Sequence, residues 1–254
     1  MLEKGLDLTL SGEIVSHPYI NLTLKVMRDF GAEVEWTSDC SLHVAPVAYQ
    51  ALPYYIESDW SASSYWYEIV ALSTKDATVS LPGLFAQSPQ GDSKVAELFE
   101  QLGVGTKREG QTVTLYQTHS CVKHLEYNFV NQPDLAQTFV VTCAMRGVTF
   151  RFSGLQSLKI KETDRMAALI AEMRKLGYVL EESEGSVLSW TGKRCEPQNP
   201  PVIDTYEDHR MAMAFAPAVW RQGTLCVRNP QVVSKSYPRF WEDLQQAGFH
   251  LTQN

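Results

Sequence analysis

Two features common in membrane and secreted proteins are missing from this 254-residue sequence. It has no run of about 18 apolar residues, which a membrane-spanning helix requires, and its amino terminus lacks the basic and apolar regions of a signal peptide. Its five cysteines include no C-x-x-C pair, so we expect reduced, mostly packed thiols. These absences predict a cytoplasmic protein that has no membrane partner.

Positive charge is also scarce, since 22 Lys and Arg residues against 29 Asp and Glu residues leave a net charge of −7. A nucleic-acid-binding surface is usually basic, so we expect no nucleic-acid partner, and an anionic ligand would need a local cluster of cations. We predict no metal site, because His119, Cys121 and His124 have no fourth ligand at a known spacing. The chain does contain 44% apolar residues, enough to bury a substantial core.

A repeat of helix, glycine and strand organises the sequence. Four stretches with the spacing of amphipathic helices each end at a glycine that precedes a short strand pattern. These glycines are Gly31, Gly103, Gly177 and Gly248, which are separated by 71 to 74 residues. Because glycine readily takes the left-handed conformation that ends many helices, we expect each one to follow a helix directly.

A second series of helices alternates with the first. Its members begin near Asp59, Asp134 and Asp208 and are apolar on nearly all sides, which predicts that they are buried. Each unit therefore has the order strand, buried helix, strand, surface helix, strand, strand, in roughly 72 residues. We predict an α/β fold with three βαβαββ units packed around a common axis in residues 57–254. Residues 1–56 form a partial fourth unit, which we interpret as the tail of another domain.

The start of one surface helix is unusual. In the stretch SLKIKETDRMAALIAEMRKLG, Lys161 and Arg165 would lie in the first helical turn, where the helix dipole disfavours each cation by about 0.3–1 kcal/mol. The two side chains would also repel each other across one helix face. Together these violations predict a site that binds an anion at the start of this helix.

If the units pack around a common axis, the helix starts converge at one end of the domain. The groups brought together would be four cations and three acid or base groups: Lys161, Arg165, Arg210, Lys235, Asp134, Glu162 and His209. Such a set suits chemistry on anionic substrates. Simpler interpretations stay open: solvated cations, Asp134 as a helix cap, Glu162 as the partner of Arg165, and His209 as a packed polar residue.

Three motifs carry a resemblance to a known family. KETDRMAALIAEMRKLG, DHRMAMAFAPAV and NQPDLAQT resemble the carboxy-terminal part of 5-enolpyruvylshikimate-3-phosphate synthases. The resemblance covers essentially the whole chain. It implies the inside-out α/β barrel of enolpyruvyl transferases, with two domains of three βαβαββ units each and the active site between them.

The resemblance also implies an activity and its substrates. Members of this family transfer the enolpyruvyl group of phosphoenolpyruvate to the 5-hydroxyl of shikimate 3-phosphate by addition and elimination, with no metal and no organic cofactor. The present chain would be a fragment that is inactive alone, because the opposite side of the cleft is missing. We expect the intact protein to be monomeric, whereas the fragment could associate with itself.

Family roles transfer to positions of this sequence as expectations. Asp134 matches the carboxylate that deprotonates the shikimate hydroxyl, Glu162 a residue that moves protons at the methylene carbon, and His209 a less firmly assigned acid or base. The matched substrate contacts are Lys161 at the shikimate phosphate, Arg165, Arg210 and Lys235 around phosphoenolpyruvate, and Ser16 and Tyr19 from the other domain. Ser157 stands where the family pattern has an asparagine, so its contact with substrate is an open question.

Two other functions remain as alternatives at this point. A UDP-N-acetylglucosamine enolpyruvyl transferase would share the fold and the donor, but it would carry a catalytic cysteine on a loop that is not evident here. A non-catalytic module could use the same fold for binding or assembly. An assay of phosphate release with both acceptors distinguishes the three functions.

Overall fold

The computed structural model describes residues 3–252. The first segment contains β1 (Leu6–Thr9), α1 (His17–Asp29), β2 (Val34–Ser38) and β3 (Ser41–Val44). The three strands form an antiparallel sheet in the order β1-β3-β2. The small core of this segment consists of Leu24, Ala32, Val34 and Leu42 and is separate from the main core of the protein.

The first of the three units contains two helices and three strands. They are α2 (Trp60–Leu72), β4 (Thr78–Pro82), α3 (Val95–Glu100), β5 (Val104–Glu109) and β6 (Thr112–Gln117). The strands pair antiparallel in the order β4-β6-β5. Asp59 caps α2, because its carboxylate accepts a hydrogen bond from the Ser61 amide at 2.8 Å. Of the six predicted elements, the strand before α2 is not formed in this unit.

The second unit has all six elements in the predicted order. They are β7 (His124–Asn128), α4 (Ala136–Arg146), β8 (Thr149–Ser153), α5 (Arg165–Lys175), β9 (Glu181–Ser183) and β10 (Val187–Trp190). The sheet order is β7-β8-β10-β9, with β7 parallel to β8 and the other pairs antiparallel. The parallel pair is the crossover expected of two strands joined by a helix.

The third unit is shorter than predicted. It contains β11 (Val202–Ile203), α6 (His209–Phe215), α7 (Val219–Gln222), β12 (Cys226–Val227) and α8 (Phe240–Gln246). Its two strands are parallel and only two residues long. Between α8 and residue 252 there is no strand, although we expected two. A strand needs a hydrogen-bonding neighbour, and no other described segment pairs with this one.

The three buried helices contact one another at the centre of residues 57–250. Helix α2 packs against α4, α4 packs against α6, and α2 also packs against the turn that follows α6. The prediction of burial was right, but the helices are not purely apolar. On α2, Ser61, Ser64 and Glu68 are all buried, and the Ser64 hydroxyl lies 3.1 Å from that of Thr138 on α4. No described helix is long and apolar enough to cross a bilayer.

The glycine positions agree with the predicted helix ends. Gly31, Gly103, Gly177 and Gly248 follow α1, α3, α5 and α8, with φ values of 87°, 81°, 89° and 96°. These angles lie in the left-handed region that side chains with a Cβ atom rarely adopt. The repeat therefore places the surface helices correctly and fixes where each one ends.

Candidate active site

Asp134 lies at the centre of a cluster of charged side chains. It sits in a short turn, Pro133–Leu135, directly before α4, and its side chain does not cap that helix. Its carboxylate instead contacts Arg165 Nη1 and Arg210 Nη2 at 3.0 Å each, and Lys161 Nζ at 3.6 Å. Burial favours a raised pKa for Asp134, but Arg210, Lys161 and Arg165 outweigh it and hold the pKa below its usual value.

Arg165 is the most buried cation of this cluster, with 2% of its side chain exposed. Its Nε donates to Asp208 at 2.6 Å, its Nη1 to Asp134 at 3.0 Å and its Nη2 to Glu162 at 2.8 Å. The sequence argument treated Arg165 as uncompensated by local rules, and left a pairing with Glu162 open as a simpler interpretation, which the contact between these two residues supports. The structure corrects that argument, because three carboxylates from separate parts of the chain surround Arg165.

The start of α5 also differs from the prediction. The helix begins at Arg165, and Asp164 caps it by accepting a hydrogen bond from the Ala167 amide at 3.0 Å. Lys161 lies outside the helix in an extended conformation after a 3₁₀-helical turn. Lys161 and Arg165 therefore do not share a helical turn, and the predicted repulsion across one helix face does not occur.

Glu162 lies between two cations. Its carboxylate contacts Lys235, at the end of another 3₁₀-helical turn, and also Arg165. Burial would raise its pKa, but the hydrogen bond from Lys235, a backbone hydrogen bond and the charge of Arg165 lower it to about 2. Glu162 is therefore ionised at neutral pH in this arrangement. The pKa values of Asp134 and Glu162 are therefore both lowered.

The start of α6 adds an aspartate and a neutral histidine to the cluster. Asp208 is fully buried, caps α6 through the Arg210 amide at 2.8 Å and holds Arg165. His209 is also buried, and its Nδ1 has no hydrogen-bond partner in the part of the chain that is described. Burial, Arg210 and Arg165 lower the pKa of His209 against the opposing effect of Asp208. The lowered pKa favours the neutral form of His209 at physiological pH, and its Nδ1 lies 3.9 Å from Asp208 Oδ1.

Tyr19 of α1 lies beside a second buried carboxyl group. Asp92 is fully buried, and its Oδ2 accepts a hydrogen bond from the Ser61 hydroxyl. Burial raises the pKa of Asp92 to about 6, although Ser61 and Arg210 oppose the shift. Burial and the charge of Asp92 in turn raise the pKa of Tyr19. Tyr19 and Asp92 both act on the pKa of Arg210, so these groups adjoin the cluster around Asp134.

Ser16 and Ser157 have looser connections to this cluster. The Ser16 amide donates to the Val130 carbonyl at 2.8 Å, which ties the start of α1 to the loop that leads to Asp134. Ser157 lies in the turn Gln156–Ile160, and its buried hydroxyl has no hydrogen-bond partner within residues 3–252. Among residues 3–252, no hydrogen bond links the Ser157 hydroxyl to the charged side chains, so its contact with substrate stays a prediction.

The residues that the sequence singled out are thus largely brought together. Direct contacts link Asp134, Lys161, Glu162, Arg165, Arg210 and Lys235, and His209 lies within α6 beside Arg210. Three buried side chains were not selected from the sequence: Ser61, Asp92 and Asp208. Two sequence positions could have indicated them: Asp208 lies next to His209, and Asp92 lies just before a surface helix. Their partners, however, lie 31 to 43 residues away and follow no sequence pattern.

Comparison with known proteins supplies a family for this arrangement. A family model described as EPSP synthase (3-phosphoshikimate 1-carboxyvinyltransferase) matches residues 1–244. Over 251 residues, the chain is 59% identical to the 3-phosphoshikimate 1-carboxyvinyltransferase of Bacteroides fragilis. The match covers 99% of this chain and 61% of that protein. The chain therefore spans about three fifths of the length of this curated relative.

Solved structures support the fold. The EPSP synthase from Acinetobacter baumannii superposes with a TM-score of 0.75 at 20% identity and covers 99% of this chain and 59% of that one. The enolpyruvyl transferase NikO from Streptomyces tendae gives a TM-score of 0.63 at 17% identity, with coverages of 99% and 58%. At such low identity the likeness concerns the fold alone, and it confirms the predicted α/β architecture.

Proposed function

Because the chain belongs to the EPSP synthase (3-phosphoshikimate 1-carboxyvinyltransferase) family, we propose that the full-length protein transfers enolpyruvyl from phosphoenolpyruvate to shikimate 3-phosphate. The observation that carries this proposal is the position of Asp134, an ionised carboxylate surrounded by Lys161, Arg165 and Arg210. The cations suit two anionic substrates, and the carboxylate suits a hydroxyl group that must lose its proton.

The proposed reaction has two steps. In the addition, the 5-hydroxyl oxygen bonds to the phosphate-bearing carbon of phosphoenolpyruvate, Asp134 accepts the hydroxyl proton, and the methylene carbon gains a proton and becomes a methyl group. In the elimination, the methyl group loses a proton, the double bond re-forms and inorganic phosphate leaves. Arg210, Arg165 and Lys235 hold the phosphoenolpyruvate anion, and Lys161 holds the shikimate phosphate.

Glu162 fits the elimination step directly, because an ionised carboxylate can accept the methyl proton. For the addition it must carry a proton, which requires a higher pKa. A substrate anion that takes Lys235 or Arg165 away from Glu162 supplies this change, since both cations now lower the pKa of that carboxyl. His209, neutral and adjacent, is the second group in the cluster that can exchange a proton.

We also propose that residues 57–254 form one domain and residues 1–56 belong to another. The separate cores of the two segments support this division. In this arrangement the segment containing α1 brings Ser16 and Tyr19 to the cleft from one side. The helix starts of the three-unit domain bring the charged cluster from the other side.

The test measures phosphate release by the full-length protein with phosphoenolpyruvate, offering either shikimate 3-phosphate or UDP-N-acetylglucosamine as acceptor. We expect turnover with shikimate 3-phosphate only, and a loss of about 10²–10⁴-fold in Asp134→Asn, the range for removing a general base. Asp59→Asn is the matched control, because Asp59 caps α2 and asparagine caps helices equally well. Absence of turnover in the wild type, or near wild-type turnover in Asp134→Asn, contradicts the proposal.

A further inference from the structure

A strained turn precedes the residues at the start of α6. Residues Thr205 to Asp208 form a β-turn closed by a hydrogen bond from the Asp208 amide to the Thr205 carbonyl at 2.9 Å. Its central residues, Tyr206 and Glu207, have φ values of 54° and 56°. Two consecutive left-handed residues are the mark of a type I′ turn, which normally contains Asn-Gly. Tyrosine and glutamate adopt this conformation only when surrounding contacts hold them there.

Each of the two strained residues has its own side-chain anchor. The Tyr206 hydroxyl donates to Glu172 Oε1 at 2.6 Å, and Asn229 Nδ2 donates to Glu207 Oε1 at 3.1 Å. Burial and the charge of Glu172 raise the pKa of Tyr206, so its hydroxyl remains a donor at physiological pH.

Glu172 is a firm anchor because it is fully buried and fully bonded. It lies on α5, and its second oxygen accepts from the Asp204 amide at 3.0 Å and contacts Lys175 Nζ at 2.7 Å. Lys175 also contacts Asp204 at 2.7 Å, which fixes the chain just before the turn. Glu172 and Lys175 therefore both tie the turn to α5.

The same helix holds both ends of this segment. Arg165, at the start of α5, binds Asp208, while Glu172, two turns further along, binds Tyr206. Asp208 also caps α6 by accepting a hydrogen bond from the Arg210 amide, and this bond fixes the backbone position from which the Arg210 side chain extends. We propose that Tyr206 is a positioning residue: by holding the left-handed turn against Glu172, it places Asp208 and Arg210 for phosphoenolpyruvate. This role rests on the proposed function.

The experiment compares Tyr206→Phe with Tyr206→Asn in the full-length protein. Both variants lose the hydroxyl, but asparagine adopts the left-handed conformation readily, so only it can keep the turn without the anchor. We expect Tyr206→Phe to raise the KM for phosphoenolpyruvate about 10-fold or more, because small misplacements of a binding group have large effects. The KM for shikimate 3-phosphate should change much less, and Tyr206→Asn should recover most of the loss.

Tyr67→Phe is the matched control. The Tyr67 hydroxyl lies 2.9 Å from that of Thr106, on the first unit, so this variant loses a tyrosine hydrogen bond without touching the turn. Its KM values should equal those of the wild type. A purely structural role for Tyr206 would make the Phe variant behave like this control, with lower stability and an unchanged KM, and that result would overturn the inference.

Hydrogen exchange gives a second measurement that does not depend on turnover. In residues 203–212, exchange should be at least about 10-fold faster in Tyr206→Phe and return toward the wild-type rate in Tyr206→Asn. Absence of turnover in the wild type contradicts the proposed function. Unchanged exchange in Tyr206→Phe contradicts the inference, whether or not the wild type is active. If Tyr206→Phe does not fold, Glu172→Gln weakens the same contact by removing the charge that the Tyr206 hydroxyl binds, and equal KM values and exchange in that variant would overturn it.

Discussion

Replacing Arg165 by methionine should destabilise the protein strongly, even though we propose that this residue also binds substrate. Methionine has a similar length, so the substitution removes the charge and five N–H groups while largely preserving the packing. Three carboxylates lose a partner. Asp134 keeps Arg210 and Lys161, and Glu162 keeps Lys235. Asp208 loses its only arginine or lysine partner among the described ion pairs and has no exposed surface.

The magnitude follows from that difference. Removing one partner of a buried ion pair costs about 3–5 kcal/mol, because the remaining charge stays buried without compensation. Asp208 meets this condition, whereas the exposed edges of Asp134 and Glu162 can be hydrated. We therefore expect a loss of about 3–5 kcal/mol, which corresponds to roughly 10 °C in Tm for a protein of this size.

Urea denaturation of the chain measures the loss, with two further variants as references. Lys235→Met removes a cation that is 58% exposed and has one partner, so it should cost only about 0–1 kcal/mol. Arg165→Met combined with Asp208→Asn removes the isolated charge and keeps a good helix cap, so it should be more stable than Arg165→Met alone. If Arg165→Met costs no more than Lys235→Met, or if the double variant gains nothing, the buried-charge argument is wrong.

Two further expectations concern the rest of the molecule. The pKa of Asp92 is raised to about 6, so ionisation of this carboxyl group opposes folding. As the pH rises from about 4 to 7, the stability of the wild type should fall by roughly 3 kcal/mol relative to that of Asp92→Asn. Urea midpoints of the two proteins that stay parallel across this pH range contradict the assignment. Residues 3–56 have a core of only four buried side chains and expose Leu6, Leu8, Tyr55 and Ile56. Their amides should exchange faster than those of α2, α4 and α6, unless the chain associates with itself; equally strong protection in a monomer would refute this.

The repeat was readable from the sequence because local chemistry determines it. The glycines after the surface helices, the aspartate caps at Asp59 and Asp208, and the apolar composition of the buried helices each act within a few residues. The same locality explains what failed. The two strands expected after α8 depend on a hydrogen-bonding neighbour that none of the described residues provides, and a hydrophobic pattern alone does not show whether a strand has such a neighbour.

For the same reason, the sequence predicted the members of the charged cluster but not how they pair. Residue types and the convergence of helix starts indicated which groups could meet, but the pairing was not encoded locally. Arg165 binds Asp208, 43 residues away, and Asp134, 31 residues away. Glu68 is a group that the sequence pattern hides. It lies within an apolar helix pattern, yet both of its oxygens are buried with no hydrogen-bond partner among residues 3–252, and burial raises its pKa well above the usual value. Sequence periodicity treats such a position as part of a buried face and gives no sign of its ionisation.

The pairing within the cluster links substrate binding to proton transfer. Lys161, Arg165, Arg210 and Lys235 all contact carboxylates of the protein, so in the proposed reaction a substrate anion competes with Asp134 or Glu162 for these cations. A carboxylate that gives up a cation becomes more basic, because an adjacent positive charge is what lowered its pKa. In the proposed reaction Asp134 must accept a proton and Glu162 must carry one. In the proposed reaction, substrates that weaken these ion pairs would raise the pKa of both groups.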